Sequence, residues 1–293
     1  MFRLDAPSAA GYSGIRPGVP GHPEPMTTPT TRDFAVVTGA SSGIGYELAR
    51  QFAEHGYDLL IAAEDAGIED TATDLRRDGQ NQITAVRADL ATYDGVEQLY
   101  QAIHATGRPI DAIALNAGVG RGGDFVRETD LDDELNVIDV NVKSTVHLAK
   151  RVLPDMVARN EGRVLFTSSI ASTMPGTYQA VYNASKSFVQ SFAEALREEL
   201  KDTDLTITAL MPGPTDTNFF ERAEMMDTKV GTSQKDDPAV VAKQGFEALM
   251  KGKEKVVAGS AKTKVQGAAA KVMPDSAKAK MHRQMAEPGS ADE

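Results

Sequence analysis

The chain has 293 residues, 41% of them hydrophobic and 25% charged, enough to bury one sizeable α/β core. A formal net charge of −11 argues against nucleic acid or an anionic membrane as the main partner, and the lack of any cysteine excludes disulfides, thiolate catalysis and Cys-ligated zinc. Five histidines (His22, His55, His104, His147, His282) stand without metal-ligand spacing, so no metal is expected.

Residues 1–32 are rich in Pro, Gly, Ser and Thr and hold no apolar block long enough for a signal peptide. They read as a disordered leader, with Met26 as a second candidate start and a cytoplasmic location expected for the protein. From Asp33 onward strands are expected at 34–38, 58–63, 82–87, 111–115, 162–168, 205–211 and 255–258. Helical patterns fill 44–55, 66–78, 94–105, 131–158 and 181–201. This alternation predicts one doubly wound parallel α/β domain of about seven strands over 33–260, covered on both faces. The longest uncharged run, Val164 to Ser185, is crowded with Ser, Thr, Gly, Asn and a proline. Such groups are costly in lipid, so the run reads as a buried strand, an active-site loop and a helix start, and no membrane span is expected.

After the first strand the chain reads Thr38-Gly39-Ala40-Ser41-Ser42-Gly43-Ile44-Gly45 and passes into a helix. Strand, glycine turn and helix present bare backbone amides to a pyrophosphate. Gly39 is expected to make the tight turn, Gly43 to let a phosphate approach, and Gly45 to let helix and strand pack closely. The spacing, Gly-x-x-x-Gly-x-Gly, departs from the commoner Gly-x-Gly-x-x-Gly. In the expected helix from 181, Tyr182 and Lys186 lie one turn apart and share a face. A phenol has a reference pKa of about 10, and a lysine charge beside it is expected to lower that value. Tyr182 could then exchange a proton with a substrate hydroxyl or carbonyl. Gly39, Asp89, Asn116, Ser169 and Pro212 all fall at or just past strand ends, where ligands sit in such sheets.

The two motifs, in this order and about 140 residues apart, resemble the short-chain dehydrogenase/reductase family. Thr38 to Gly45 looks like its TGxxxGxG loop, and Asp89-Leu90 like the acidic element placed against the adenine. Leu115-Asn116-Ala117-Gly118 resembles NNAG with Leu for the first Asn, and Asn141 matches the catalytic asparagine. Ser169, thirteen residues before Tyr182, sits at the catalytic serine spacing, and Pro212-Gly213 with Thr217 resembles PGxxxT. The resemblance covers roughly Asp33 to Ser260 and implies a Rossmann-like, NAD(P)-dependent oxidoreductase acting on an alcohol or carbonyl. It implies a catalytic set of Asn141, Ser169, Tyr182 and Lys186. Tyr182 would be the general acid/base, and Ser169 would steady the substrate oxygen. Lys186 would hold the nicotinamide ribose, and Asn141 would position a water linking Lys186 to solvent. Cofactor contacts are expected from Gly39, Ser41, Ser42, Gly43, Ile44, Gly45, Glu64, Asp89, Leu90, Asn116, Ala117 and Gly118. Tyr182, Lys186, Pro212, Gly213, Thr215 and Thr217 complete that set. Ser168 competes with Ser169, but strand alternation points the two side chains to opposite faces.

NAD is preferred over NADP, because Glu64 stands where NADP users often carry an arginine and Asp65 adds negative charge, although Arg76, Arg77 and Arg87 lie near in sequence. The alternative to turnover is a cofactor-binding sensor or scaffold, which would not need all four catalytic residues. The substrate is not legible. Phe219, Phe220, Met225 and Met226 form either an apolar lid or plain packing, and Ser172, Thr173, Met174 and Gln179 are expected to line the pocket. The family likeness also implies a homodimer or homotetramer through the helices holding Asn141 and Tyr182. In the 261–293 tail, Val265, Ala268, Ala269, Val272 and Met273 predict a basic amphipathic helix, ended or kinked by Pro274. It either docks on its own body or a partner subunit, or stays solvated.

Overall fold

A computed structural model describes residues 32–77, 81–269 and 273–292. The expected leader, but for Arg32, and Val272 of the tail lie outside the described residues. Seven strands form one parallel sheet: β1 (Phe34–Thr38), β2 (Asp58–Ala63), β3 (Ile83–Arg87), β4 (Ala112–Leu115), β5 (Arg163–Thr167), β6 (Thr206–Pro212) and β7 (Lys255–Ala258). Their order is β3-β2-β1-β4-β5-β6-β7, so the sheet runs outward in both directions from the β1–β4 pair. Each strand lies within a residue of its expected bounds at either end. The central strands are largely apolar because both faces are covered, with Thr38 and Thr167 at the carboxyl ends of β1 and β5. Phe34 and Val36 of β1 point into one core while Ala35 and Val37 point into the other.

Helices α1 (Gly43–Glu54) and α2 (Gly67–Arg77) cover one face. Helices α3 (Tyr93–Ala105), α5 (Ser144–Arg159) and α6 (Ala180–Glu199) cover the other, with α4 (Leu131–Ile138) leading into α5. Short helices α7 (Phe219–Arg222) and α8 (Lys229–Thr232) follow β6. Then α9 (Pro238–Met250), not singled out in the sequence reading, joins α1 and α2: Phe52 meets Phe246 edge-on at 5.1 Å between ring centres.

Two expectations need correction. The single helix expected over 131–158 is interrupted by a π-helical turn at Asp139–Lys143, which separates α4 from α5. There the hydroxyls of Ser144 and Thr145 donate to the carbonyls of Val140 (2.5 Å) and Asn141 (2.9 Å), side-chain bonds that support an irregular turn. The tail forms two helices, α10 (Ala261–Ala269) and α11 (Asp275–Ala286), with Pro274 as the N-cap residue of α11. Val265, expected on the packing face, is exposed. Instead α10 packs through buried Thr263, which donates to Asp236 Oδ2 at 2.5 Å, and through Gly267, whose lack of a side chain admits Val257. A small-residue face brings the helix closer to β7 than a valine would.

Candidate active site

A cleft of about 280 Å³ opens along the carboxyl ends of the strands. Its floor is the turn between β1 and α1, where Gly39 (φ 65°) and Gly43 (φ 56°) adopt the left-handed backbone that glycine tolerates. A Cβ on Gly45 would stand 1.9 Å from the Gly39 carbonyl oxygen, so α1 can begin against the turn only with glycine there. A Cβ on Gly43 would meet Thr217 at 2.7 Å, so the neighbour that demands this glycine is the segment after β6. Ser42 holds the extended N-cap position and makes no side-chain capping bond, and Ser42, Gly43, Ile44 and Gly45 line the cleft. The first-turn amides and the positive end of the α1 dipole are therefore turned toward an anionic ligand, which is the fit a dinucleotide pyrophosphate requires.

Beside the turn, Ser41 Oγ donates to Asp65 Oδ2 at 2.7 Å and Asp65 Oδ1 accepts from the Gly67 amide at 2.9 Å. Asp65 thus ties the glycine loop to the start of α2, a bracing role the sequence reading missed. Glu64 is exposed, lines the cleft, and takes Arg87 Nε on its backbone carbonyl at 2.9 Å. The other two arginines are engaged away from it: Arg76 Nε donates to the Ile83 carbonyl (3.1 Å) and Arg77 pairs with Asp74 (3.0 Å). Asp89 departs from expectation. Its exposed carboxylate accepts from the Ala91 amide at 3.0 Å, closing its own turn, and Ala88 and Leu90 reach the cleft instead.

Between β1 and β4, Thr38 Oγ1 accepts from the amides of both Asn116 and Ala117 at 3.0 Å. Asn116 Nδ2 donates to the Thr38 carbonyl (3.1 Å) and its Oδ1 accepts from Thr167 Oγ1 (3.0 Å), linking β1, β4 and β5. Asn116, Ala117 and Gly118 line the cleft, and a Cβ on Gly118 would meet Lys186 Nζ at 3.0 Å. Asn141 lies in the π-helical turn, behind the wall. Its Nδ2 donates to the Val119 carbonyl and to Ser185 Oγ, and its Oδ1 accepts from the Val119 amide, each at 2.9 Å. Both amide hydrogens are thereby committed to clamping the post-β4 loop onto α6. A water-positioning role would fall to the remaining Oδ1 lone pair.

Ser169, Tyr182 and Lys186 converge on the cleft. Ser169 Oγ accepts from the Ala171 amide (3.1 Å) and donates to the Pro212 carbonyl (3.4 Å), with the Tyr182 phenol within its reach. Ser168 points away and donates to the Lys186 carbonyl at 3.0 Å, as strand alternation requires. Lys186 Nζ donates to the Thr167 carbonyl at 3.1 Å and lies 5.9 Å from the centre of the Tyr182 ring. The electrostatics differ from the sequence expectation. Burial pushes the Tyr182 phenol up to about 12, opposed by the Ser169 hydrogen bond, and pushes the Lys186 ammonium down to about 8. Desolvation is thus the larger influence on both groups, and each is moved toward its neutral form.

Pro212, Gly213, Thr215 and Thr217 line the cleft beyond β6. Thr215 Oγ1 donates to the Gly213 carbonyl (2.9 Å), and Thr217 Oγ1 accepts from the Phe219 amide (3.2 Å). The Phe/Met segment divides its labour. Phe219 stands 5.1 Å from the Tyr182 ring and lines the cleft with Phe220, Met225 is buried in packing, and Met226 is exposed. Met174 and Gln179 line the cleft, whereas the Ser172 and Thr173 hydroxyls turn back to the carbonyls of Ser169 and Ile170 at 2.7 Å. Met281, His282, Met285 and Ala286 of α11 also reach the cleft, which the sequence reading missed; three apolar residues spaced four and five apart in a polar helix were the available signal.

The profile described as "short chain dehydrogenase" matches residues 33–227. The chain is 32% identical over 222 residues to "Oxidoreductase UcpA" of Salmonella typhimurium, covering 75% of this chain and 81% of that one. Among solved structures it is similar to a short-chain dehydrogenase from Sphingobium yanoikuyae in complex with NADPH, with TM-score 0.71 and 25% identity, covering 77% of this chain and 87% of the other. It is also similar to a short chain dehydrogenase/reductase from Burkholderia phymatum in complex with NAD, with TM-score 0.70 and 27% identity over 77% and 88% of the two chains.

The burial of Lys186 has a measurable cost. Its pKa falls from 10.5 to about 8 on folding, which penalises the folded state by about 3 kcal/mol below pH about 8, where the lysine is charged in both states. Lys186→Met is expected to stabilise the cofactor-free protein at pH 7 by up to that amount, less roughly 1 kcal/mol for the Thr167 carbonyl left without its donor. The gain should shrink as pH rises from about 8 through 10.5, above which the wild-type lysine is neutral in both states. Urea denaturation at pH 7 and at pH 10 checks this; a variant no more stable than wild type at pH 7 would show that the ammonium is not desolvated.

Proposed function

The chain belongs to the short-chain dehydrogenase/reductase family, and on that footing we propose that it moves a hydride between a nicotinamide cofactor and an alcohol or carbonyl substrate, with Tyr182 as general acid/base. The observation that carries this reading is the convergence of Ser169, Tyr182 and Lys186 beside the uncapped N-terminus of α1. The glycine turn and the first α1 amides would hold the pyrophosphate, Lys186 the nicotinamide ribose, and Pro212 to Thr217 the ring. A bound nicotinamide supplies the hydride donor or acceptor. In the reducing direction the carbonyl carbon gains a hydride, and the oxygen, now holding the π electron pair, takes the proton of the Tyr182 hydroxyl. Ser169 donates a hydrogen bond to that oxygen as its charge develops. Oxidation of the alcohol runs the same steps in reverse.

The reading extends to NAD over NADP. Glu64 and Asp65 line the end of the cleft where an adenosine ribose would lie, and a like charge about 4 Å away costs roughly 4 kcal/mol at an effective dielectric near 20. Arg87, held on the Glu64 carbonyl, is a cation beside them that would favour a 2′-phosphate. The reading also extends to a homo-oligomer, supported by exposed Leu131, Leu135 and Ile138 on α4 and exposed Phe188 on α6. The cytoplasmic location expected from the sequence belongs to the same proposal. No described helix is long and apolar enough to cross a membrane.

Tyr182→Phe should abolish turnover of a carbonyl and alcohol panel while leaving cofactor affinity nearly intact. Ser169→Ala should cost roughly 10²–10³ in rate, the usual loss for one preorganised donor. Substantial activity in Tyr182→Phe, followed at the nicotinamide absorbance, would remove the phenol from the mechanism. Glu64→Arg should move the preference toward NADP, and tighter binding of NADP than NAD by the wild type would sink the assignment. Leu135→Glu should lower the mass seen by light scattering toward that of a monomer; an unchanged mass would place the interface elsewhere.

A further inference from the structure

At the end of the cleft away from the glycine turn, Phe219 packs against the Tyr182 ring, and Phe220 lies edge-on to Phe219 at 5.3 Å. The opposite wall belongs to α11, more than 90 residues beyond Tyr182 in the chain. Met285 and Ala286 join the cluster of Phe220, Ala223, Met225 and Val230, while Met281 and Met285 both face the cleft. The helix is anchored on both sides of the opening. His282 Nδ1 donates to the Thr177 carbonyl at 2.8 Å, and Thr177 Oγ1 donates to the Ala279 carbonyl at 3.0 Å, just ahead of α6. On the other side the Lys229 amide donates to Ser290 Oγ at 3.1 Å, and the Ala291 amide to the Asp227 carbonyl at 2.9 Å. His282 is buried, and burial lowers its pKa, so the ring that faces inward from this helix is neutral.

We propose that α11 is the outer wall of the substrate pocket, and that Met281 and Met285, beside Phe219 and Phe220, select a bulky apolar ketone or its secondary alcohol. This rests on the oxidoreductase reading above. Two flexible thioethers grouped with two phenyl rings make an apolar lining that conforms to aromatic or branched groups. Two cations stand at this end: Arg222 of α7 is exposed at the rim, and Lys235 Nζ lies 5.1 Å from the centre of the Phe220 ring. With Ala286 closed over by its neighbours, Met281 and Met285 are the positions where side-chain volume sets the room left for substrate.

The test compares kcat/KM for propiophenone, acetone and levulinate in the full-length protein with either reduced cofactor. Wild type should favour propiophenone over acetone by at least about tenfold, since each methylene seated in an apolar pocket is worth roughly 10–200-fold. Met281→Phe should lower the propiophenone-to-acetone ratio by about tenfold, and Met281→Ala should move the preference toward the larger benzophenone. Gln284→Ala, on the exposed side of α11, should leave both ratios as they were, and thermal midpoints check that each variant is folded. An unchanged ratio in folded Met281→Phe overturns the proposal, as does preference for levulinate, which would point to Arg222 or Lys235.

Failure of the underlying reading looks different: no carbonyl is turned over, or Tyr182→Phe stays active. The wall is then read by binding alone. The chain contains no tryptophan, so Met281→Trp places a single reporter in the pocket. Saturable quenching by propiophenone and none by acetone supports the proposal, and absence of quenching by either overturns it.

Discussion

The Thr38 hydroxyl holds the site together at the one place where the sheet reverses its order. Beside β1 the chain leaves into α1 on one face, and beside β4 it leaves toward the helices of the other, so the two strand ends part and open a crevice. Thr38 Oγ1 closes the base of that crevice by accepting both the Asn116 and Ala117 amides, and Asn116 passes the link to Thr167 on β5. Every partner in this network is satisfied, which is the condition under which a buried polar cluster rigidifies a core. The glycine turn is pressed against it, since Gly39 and Gly45 both abut the Asn116–Ala117 backbone or side chain. Lys186 hangs from the Thr167 carbonyl at its far end. Slackening the brace would move the glycine turn and Lys186 together.

The site is electrostatically poised by burial. Packing α6 against β5 leaves Lys186 nearly inaccessible, and the same packing raises the phenol of Tyr182. Both groups are pushed toward their neutral forms, so the arrangement is one that added charge or added hydrogen-bond partners would shift strongly. Asn141 has a mechanical share in this: through Val119 and Ser185 it fixes the loop that stands beside the lysine. Its π-helical turn aims the amide inward, where an unbroken helix would carry it along a different path.

Around this centre the order of the loops depends on distant chain. Tyr178 holds φ 65°, an unfavourable conformation for an aromatic residue, and its hydroxyl donates to Glu287 while Arg283 stacks over its ring. The Gly123 amide closes onto the Tyr178 carbonyl from a third segment. The loop before α6 is therefore positioned by α11 and the residues after it, which couples the far end of the chain to the placement of Tyr182.

Much of this was legible in the residues. Apolar runs with β-branched content marked the strands to within a residue, because a strand buried on both faces has little freedom of composition. The glycine turn and the Tyr182–Lys186 pair followed from local geometry, since turn chemistry and helical spacing act over a few residues, while alternation separated Ser168 from Ser169 and the family's spacing chose between them. What local pattern could not supply was set by contacts across the chain. Asp89 turned to its own loop and Asp65 to the glycine turn, a choice between carboxylates that depends on which backbone amide each can reach. The direction of the Tyr182 and Lys186 shifts depended on how much solvent packing removed, which no spacing reports. The α11 wall depended on where a polar helix finds its apolar face covered. The sequence by itself determined the fold class and named the candidate reacting groups, because both leave marks in short-range periodicity and motif spacing. Only the tertiary structure decided which groups brace, which line the cleft and which proton state burial favours, because those are properties of neighbours far apart in the chain.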